Sequence, residues 1–553
     1  METVSDLSTQ AGPTDLPQDL IGRHRRLVRR TALVSALTLV SRLLGFVREM
    51  LSAWLFGDRS AVYDAFITAW RVPNLFRRFL GEGALATSFQ TALTRTDGDE
   101  GLEAGRRLFH ATSRWLSGIL VVLCGVVMLG VSAMPDEMPL TGWHWLGQPA
   151  EPVRDLTVRV MPFVVLACLS ALAGGALNVR GHFAAPAWAP AILNIVWIGT
   201  LALLGLRYGT SAGAPDPARH VEMTRVLAWG VLLAGIAQLV VQLPALARSG
   251  FLGRVGRAVV AQRATAREVV RRSVPLAIGA AVYQINVMID GLMAEGLLPD
   301  GGPTTHYYAN RVQQFPMALI AFAATAAVFP ALQALGHARD LRAVRDLHDR
   351  TQRAICFVAL PASIGLLVLA RPVVSVCFEH GAFGAEGVRR TTAALQYLTL
   401  AIVPAGASGL AARTFYSLSD FSYPVRVSIA MLALNVALNL VFVLGAGMDV
   451  EGLALATAAT SWGTLVLLLA CLGRRLPARR VAFAGPLCRM LAGAALAGAL
   501  ATLAHALAAP ALGSGAGLFL GIAAAALGYF LTSLALGVPE LEQLLRGLRR
   551  SRG

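Results

Sequence analysis

The stretch RVPNLFRRFLGEGALATSF (71–89) carries Arg71, Arg77, Arg78 and Glu82 among apolar neighbours. At about 100° per residue, Asp64, Arg71, Arg78 and Glu82 share one helix face, with Asn74 to the side. Upstream, Ser35, Arg42 and Glu49 repeat the arrangement, with Arg48 at another angle, and Arg311, Gln313 and Gln314 form a third polar group. Guanidinium is a permanently charged planar fork that grips phosphate or carboxylate with two parallel hydrogen bonds. Several such groups on inward faces describe a water-filled cationic cavity that selects anions. Glu49, Asp64 and Glu82 would then steady the arginines when no anion is bound.

Each charge at the centre of a membrane helix costs roughly 2.5–3.5 kcal/mol on insertion scales. Plainer explanations exist for single residues: Arg48, Arg77 and Arg78 can snorkel near helix ends, and Arg71 can pair with Asp64 to lock two helices. They do not account for the set, because Arg42 and Arg71 lie well inside apolar runs.

The elements that position these charges are membrane helices. Of 553 residues, 56% are hydrophobic and only 14% charged, against about 25% charged in soluble domains. Lysine is absent, so neither a P-loop lysine nor a Schiff-base lysine is available. The histidines form no HExxH, and Cys124, Cys168, Cys356, Cys377, Cys471 and Cys488 form no CxxC pair, so neither a metal site nor a disulfide framework is indicated. A net charge of +16 suggests basic cytoplasmic loops here and not a nucleic-acid partner.

Fourteen apolar segments able to cross roughly 30 Å of hydrocarbon recur between residues 31 and 537. The loops at 248–272, 337–353 and 473–480 and the tail at 546–553 are rich in arginine; those at 135–152, 295–306, 446–452 and 509–517 have none. The positive-inside rule places both termini in the cytoplasm, which an even number of spans requires. Arg59, Arg207, Arg219, Arg389 and Arg390 are the exceptions on the outer side. The chain also repeats itself: Ala69/Ala309, Arg71/Arg311, Val72/Val312, Ala86/Ala326 and Phe89/Phe329 match at an offset of 240 residues, and Phe183/Phe421 with Pro186/Pro424 at 238. The expected fold is therefore all-α and polytopic: two pseudo-symmetric six-helix lobes (31–247 and 270–472) and two further helices (486–537). Residues 1–30 read as a disordered basic cytoplasmic tail, 248–269 as a basic cytoplasmic linker and 538–553 as a second basic tail. Parallel repeats of this kind hold a substrate near the midplane and rock around it.

SRLLGFVRE (41–49) followed by DAFITAWRVPNLFRRFLGEGALATSF (64–89) resembles the MurJ (MviN) family of lipid II flippases, in the multidrug/oligosaccharidyl-lipid/polysaccharide exporter superfamily. The likeness continues through NVRGHFAAPAWAPAILNI (178–195), YYANRVQQFP (307–316) and FYSLSDFSYPVRVSI (415–429), nearly the whole chain after residue 30. It implies a central cationic cavity between two lobes, a lipid-tail groove on the last two helices, and a location in the bacterial cytoplasmic membrane. The implied partners are lipid II, membrane lipids and cell-wall synthesis or division proteins. By motif position, the family's essential arginines correspond to Arg42, Arg48, Arg77 and Arg311, and its other cavity charges to Asp64, Arg71, Arg78 and Glu82. Arg71 stands where many relatives have lysine, which keeps the charge and changes its geometry.

No enzymatic chemistry is expected, since paired acids or histidines at a membrane face are missing, and no cofactor is expected beyond coupling to the membrane potential or a monovalent cation. Some relatives bind sodium in the second lobe, and Asn286, Asp290, Asn435 and Asn439 offer oxygen ligands there; hydrogen bonding between helices explains these residues equally well. The runner-up function is a flippase for another lipid-linked oligosaccharide of O-antigen or capsule type. A multidrug exporter would want an acidic cavity.

Overall fold

The computed structural model describes residues 18–77, 84–133, 137–138, 143–144, 150–209, 216–253, 260–325, 328–479 and 483–550. Helices dominate, because a backbone in hydrocarbon must satisfy its own N–H and C=O groups. The first half contains α1 (Gln18–Phe56), α2 (Ala61–Phe76), α3 (Ala84–Asp99), α4 (Leu102–Ser132), α5 (Ala150–Val160), α6 (Phe163–Val179), α7 (Ala184–Tyr208), α8 (Pro217–Val240) and α9 (Leu243–Arg248). The second contains α10 (Val260–Leu297), α11 (Gly302–Thr325), α12 (Phe329–His337), α13 (Leu341–Val368), α14 (Ala370–Phe378), α15 (Ala385–Thr399), α16 (Ile402–Ser417), α17 (Ser422–Leu440) and α18 (Val450–Arg475). After them come α19 (Ala484–Leu512), α20 (Ser514–Ala535) and α21 (Pro539–Arg550). A two-residue antiparallel pair, Glu137–Met138 with Trp143–His144, sits in the loop after α4.

Ten helices among the described residues have the length and apolarity to cross a membrane, so this is a multi-pass membrane protein. The other four segments in the sequence count (31–57, 62–94, 270–297 and 306–335) are helical where described. They are the ones that carry the charges.

The backbone repeats its irregularities. Gly101 and Arg339, Gly181 and Ser419, and Gly209 and Gly447 all take positive φ, each pair 238 residues apart. The non-glycine members matter most, since a left-handed conformation costs an ordinary residue roughly 1–2 kcal/mol. Likewise α5 breaks from α6 between Val160 and Phe163, and α15 from α16 between Thr399 and Ile402, an offset of 239.

Packing distinguishes the two ends of the molecule. Toward the arginine-poor loops one apolar core runs through both halves, joining Tyr63, Phe66 and Trp70 to Tyr308, Phe378 and Phe383. Toward the arginine-rich loops there are two separate cores. One holds Phe89, Leu108 and Phe251, together with Ala266 and Val269 of α10. The other gathers Leu332, Phe415 and Leu472 with Met490, Tyr529 and Val538. The halves share one core at the first end and keep separate cores at the second, where α10 alone of the second half packs into the core of the first.

Two segments read as tails are ordered as helix. No proline or glycine interrupts residues 23–44, so α1 extends back to Gln18 well beyond the apolar run. At the other terminus α21 is docked by its Glu540, buried against Arg353 of α13 at 2.9 Å. Similarly, α10 begins at Val260, inside the stretch read as a linker. All five arginines that break the positive-inside pattern have partners: Arg390 grips Asp449 with two bonds of 2.6 and 2.8 Å, Arg389 meets Glu386, Arg207 meets Glu222, Arg59 lies 4.0 Å from Asp58, and Arg219 donates to the Gly209 carbonyl.

Removing one member of a buried ion pair leaves an uncompensated charge, which costs about 3–5 kcal/mol, whereas replacing both with apolar residues is near neutral. Arg353→Met is therefore expected to lower the melting temperature in detergent, and Arg353→Met/Glu540→Met to recover it. A single variant melting like the native chain refutes the docking role of this pair.

Candidate functional site

Glu49 of α1 is the centre of the site. It is 3% exposed, and its carboxylate collects partners from both halves. Arg48 Nη2 donates to Glu49 Oε1 at 2.5 Å, Tyr307 Oη of α11 donates to the same oxygen at 2.9 Å, and Arg311 Nε lies 3.4 Å away. Arg311 Nη2 in turn donates to Tyr307 Oη at 2.7 Å. Arg48 is fixed from behind: its Nη1 donates to Asn194 Oδ1 at 3.1 Å, and its guanidinium lies 4.4 Å from the Trp197 ring centre. A buried carboxylate survives only when charge and hydrogen bonds compensate its lost hydration. Two arginines and a tyrosine do so here.

Arg71 and Arg311, the pair matched in the repeat, line one small cavity of about 50 Å³ with Trp70, Asn74, Tyr307 and Gln314. Both guanidinium groups face Tyr307, at 5.9 and 4.7 Å from its ring centre. Arg71 is 9% exposed, its Nη1 reaches the Val287 carbonyl at a long 3.4 Å, and its Nε and Nη2 are buried with no hydrogen-bond partner among the described residues. The guanidinium lies directly over Gly291, where an added Cβ would come within 1.8 Å of Nη1. An arginine with buried N–H groups to spare is a ready anion binder.

Closer to the arginine-poor end, carboxylates of the first half cap helices of the second. Asp64 accepts from Gly301 N at 2.6 Å, from Thr304 N at 2.9 Å and from Thr304 Oγ1, covering the start of α11. Asp58 accepts from Gly384 N at 2.9 Å, at the start of α15. Such contacts satisfy amides that a helix start leaves unpaired and place a negative charge at the positive end of its dipole. Thr68 donates to the buried Glu295 at 2.8 Å, and Ala382 N donates to the Trp54 carbonyl at 2.9 Å. This end is closed by a latch made from both halves.

The family model described as lipid II flippase MurJ matches residues 52–525. The chain belongs to the MurJ family. A lipid II flippase MurJ from Burkholderia cenocepacia is 31% identical over 423 residues, 75% of this chain and 78% of the relative. A probable lipid II flippase MurJ from Bdellovibrio bacteriovorus is 28% identical over 540 residues, 95% and 97% of the two chains. A solved lipid II flippase MurJ in an inward closed conformation aligns with a TM-score of 0.70 at 20% identity, covering 91% of this chain and 98% of that one. An inward-facing multidrug resistance transporter of the MATE family, MOP superfamily, gives 0.62 at 12% identity, covering 80% and 97%. The fold is thus shared across the superfamily.

Within this MurJ-family chain, Arg48, Glu49, Arg71 and Arg311 come together as the sequence suggests. Arg77 stands one turn beyond Asn74 and donates to its Oδ1 at 3.0 Å. Arg42 shares the Glu49 face of α1 but is exposed, nearer the arginine-rich end. Arg78 and Glu82 lie outside the described residues. Asp64 corrects an expectation: its oxygens are taken by Gly301 and Thr304 at the start of α11, and among the described residues it pairs with no arginine, Arg71 included. Asn194, Tyr307, Asp58 and Glu295 were missed. Tyr307 alone carried a signal, four residues before Arg311 and so on its face.

The four cation candidates also cluster. Asp290 Oδ1 accepts from Asn439 at 3.0 Å, Oδ2 from Asn286 at 3.4 Å, and Asn439 Nδ2 also meets Asn435 Oδ1 at 3.2 Å. Thr457, which the sequence reading omitted, donates to Asp290 Oδ2 at 3.1 Å. Asn439 Oδ1 is buried without a partner among the described residues. Two amide nitrogens and a hydroxyl thus donate to one carboxylate, which ties α10 to α17 and α18 by hydrogen bonds.

Loss of a helix cap costs about 0.5–2 kcal/mol, up to roughly a thirtyfold change in an equilibrium. In a cysteine-free background bearing Asn310→Cys, the variant Asp58→Ala/Asp64→Ala is expected to react about tenfold or more faster with a membrane-impermeant maleimide applied from the arginine-poor side. An unchanged rate rules out the latch.

Proposed function

We propose that this protein is a lipid II flippase. It carries the undecaprenyl-diphosphate-linked peptidoglycan precursor from the inner to the outer leaflet by alternating access through a cationic cavity. The observation that carries this reading is the meeting of Arg71 and Arg311, equivalent residues of the two repeats, on one cavity beside the Arg48–Glu49 pair. The names of the curated relatives support the choice of cargo. The protein is read as a transporter and not an enzyme, in the bacterial cytoplasmic membrane with both termini inside.

The arginine-poor end is then periplasmic, and the latched form described above accepts cargo from the cytoplasm. A diphosphate entering between the lobes competes with Glu49 and Tyr307 for Arg48 and Arg311. Displacing Glu49 removes a tie between the lobes, so cargo binds the two states with different affinity, which is the requirement for shifting them. An inside-negative potential drives the net anionic headgroup outward by about 2.3 kcal/mol per charge per 100 mV. The polyprenyl tail stays in lipid along α19 and α20, whose Leu503, Leu507, Phe519 and Leu527 are exposed. A monovalent cation at Asp290 is a second proposed source of coupling, and cell-wall synthesis or division proteins are proposed partners.

Depletion of the protein in its host is expected to raise lipid II in the inner leaflet, measured by mass spectrometry of extracted precursors. Accumulation of a different glycan lipid selects another lipid-linked oligosaccharide as cargo. At normal expression, Arg42→Ala, Arg48→Ala and Arg311→Ala should each fail to support growth as the sole flippase; growth on Arg311→Ala disproves the cavity assignment.

A further inference from the structure

A second chamber lies inside the first lobe and is untouched by the reading above. It measures about 280 Å³ and is a partly open recess walled by α3, α6, α7 and α8, with Arg77, Gln90, Ser170, Asn178 and Gln238 supplying its polar lining. Each buried water needs roughly 10–15 Å³ of such space, so this is more than a few structural waters occupy. Small and flat residues, including Ala171, Gly174, Gly175 and Pro186, make up the rest of the wall. Room for side chains has been left empty here.

The polar groups are arranged one-sidedly. Gln238 is 5% exposed and Gln242 fully buried. Their amide nitrogens are used: Gln238 Nε2 donates to the Ala189 carbonyl at 3.0 Å, and Gln242 Nε2 donates to Ser170 Oγ at 2.7 Å and to the Gln238 carbonyl at 3.1 Å. Both amide oxygens have no hydrogen-bond partner among the described residues. Gln238 lines the chamber, and Gln242 Oε1 lies 3.4 Å from the point where a Cβ on Gly174 would stand. A buried acceptor left unmatched costs about 1–3 kcal/mol, so such oxygens call for a donor. Among the described residues no carboxylate lines the chamber, and the one cation among them, Arg77, donates to Asn74 of the cavity between the lobes.

We propose that this chamber is a carbohydrate subsite. It takes the sugar joined to the diphosphate, whose hydroxyl and amide N–H groups donate to Gln238 Oε1 and Gln242 Oε1 while the phosphates lie on the Arg77 side. The inference rests on the flippase reading and adds a part that discriminates cargo by its sugar. Neutral buried acceptors read a sugar by hydrogen bonds that an unglycosylated lipid does not make, and sites of this kind are selective because their buried polar groups go unmatched otherwise.

The test uses the full chain in nanodiscs with two probes, undecaprenyl diphosphate and lipid II. Gln238→Met keeps the volume and removes the acceptor; Ala171→Leu fills the chamber and touches no hydrogen bond; Gly175→Ala is milder, its Cβ meeting Gln90 and Phe89 at an ordinary 3.6 Å. Variants that melt like the native chain are expected to lose about tenfold in lipid II affinity and nothing for undecaprenyl diphosphate, as the loss of a hydrogen bond or so implies. Arg311→Ala should weaken both lipids. If the chamber variants bind both lipids normally, the space holds water only and the subsite is overturned, with the flippase reading intact. Equal loss for both lipids also overturns it, since that pattern is a general distortion. If Arg311→Ala binds both lipids normally, the flippase reading itself falls.

Discussion

Glu49 sits where the energetic problem of the whole protein is concentrated. A carboxylate removed from water has to be matched, and two arginines from separate halves match it. The arginines need the carboxylate equally, since two like charges in a poorly screened space repel. Their mutual dependence adds a polar tie at the centre to the apolar core that joins the halves beside it. On the proposed function this tie is exchangeable: an anion that takes the place of Glu49 would use the same guanidinium groups, and occupancy would then be linked to conformation.

Much of this was legible from residue order. Hydropathy gave the ten spans that are long and apolar enough to cross a membrane among the described residues, and the 240-residue register placed Arg71 and Arg311 as equivalents. Charge type gave the preference for anions. Helical spacing failed at Asp64 for a definite reason. Positions i and i+7 share a face, but the spacing does not say what that face meets, and Asp64 meets the start of α11 some 240 residues on. The same limit hid Asn194 behind Arg48 and Asp58 under α15. Contacts between distant segments have no periodic signature. Polarity alone missed that residues 18–30 are helical: arginine and leucine are good helix formers, so a basic stretch continues as helix.

The duplication shows how one scaffold supports unequal functions. Positive-φ turns recur at 238 residues even where the second half spends Arg339 and Ser419 on them, so the chain path is kept at some strain. What differs is the lining. The first lobe keeps an open polar chamber around Gln238, and the second closes around Asp290 and its amides. Equivalent arginines meet on the shared axis, while each lobe's private interior has diverged.

One helix belongs to both bodies. α10 is seated in the first lobe's core through Ala266 and Val269, and in the joint core through Ala294. When the lobes pivot, these two anchorages must move apart or twist, and the stretch between them absorbs the difference as a leaf spring does. That same stretch puts Gln284, Val287 and Met288 into the wall of the cavity shared by Arg71 and Arg311, so the element that would flex and the lining of the cavity are one piece of chain.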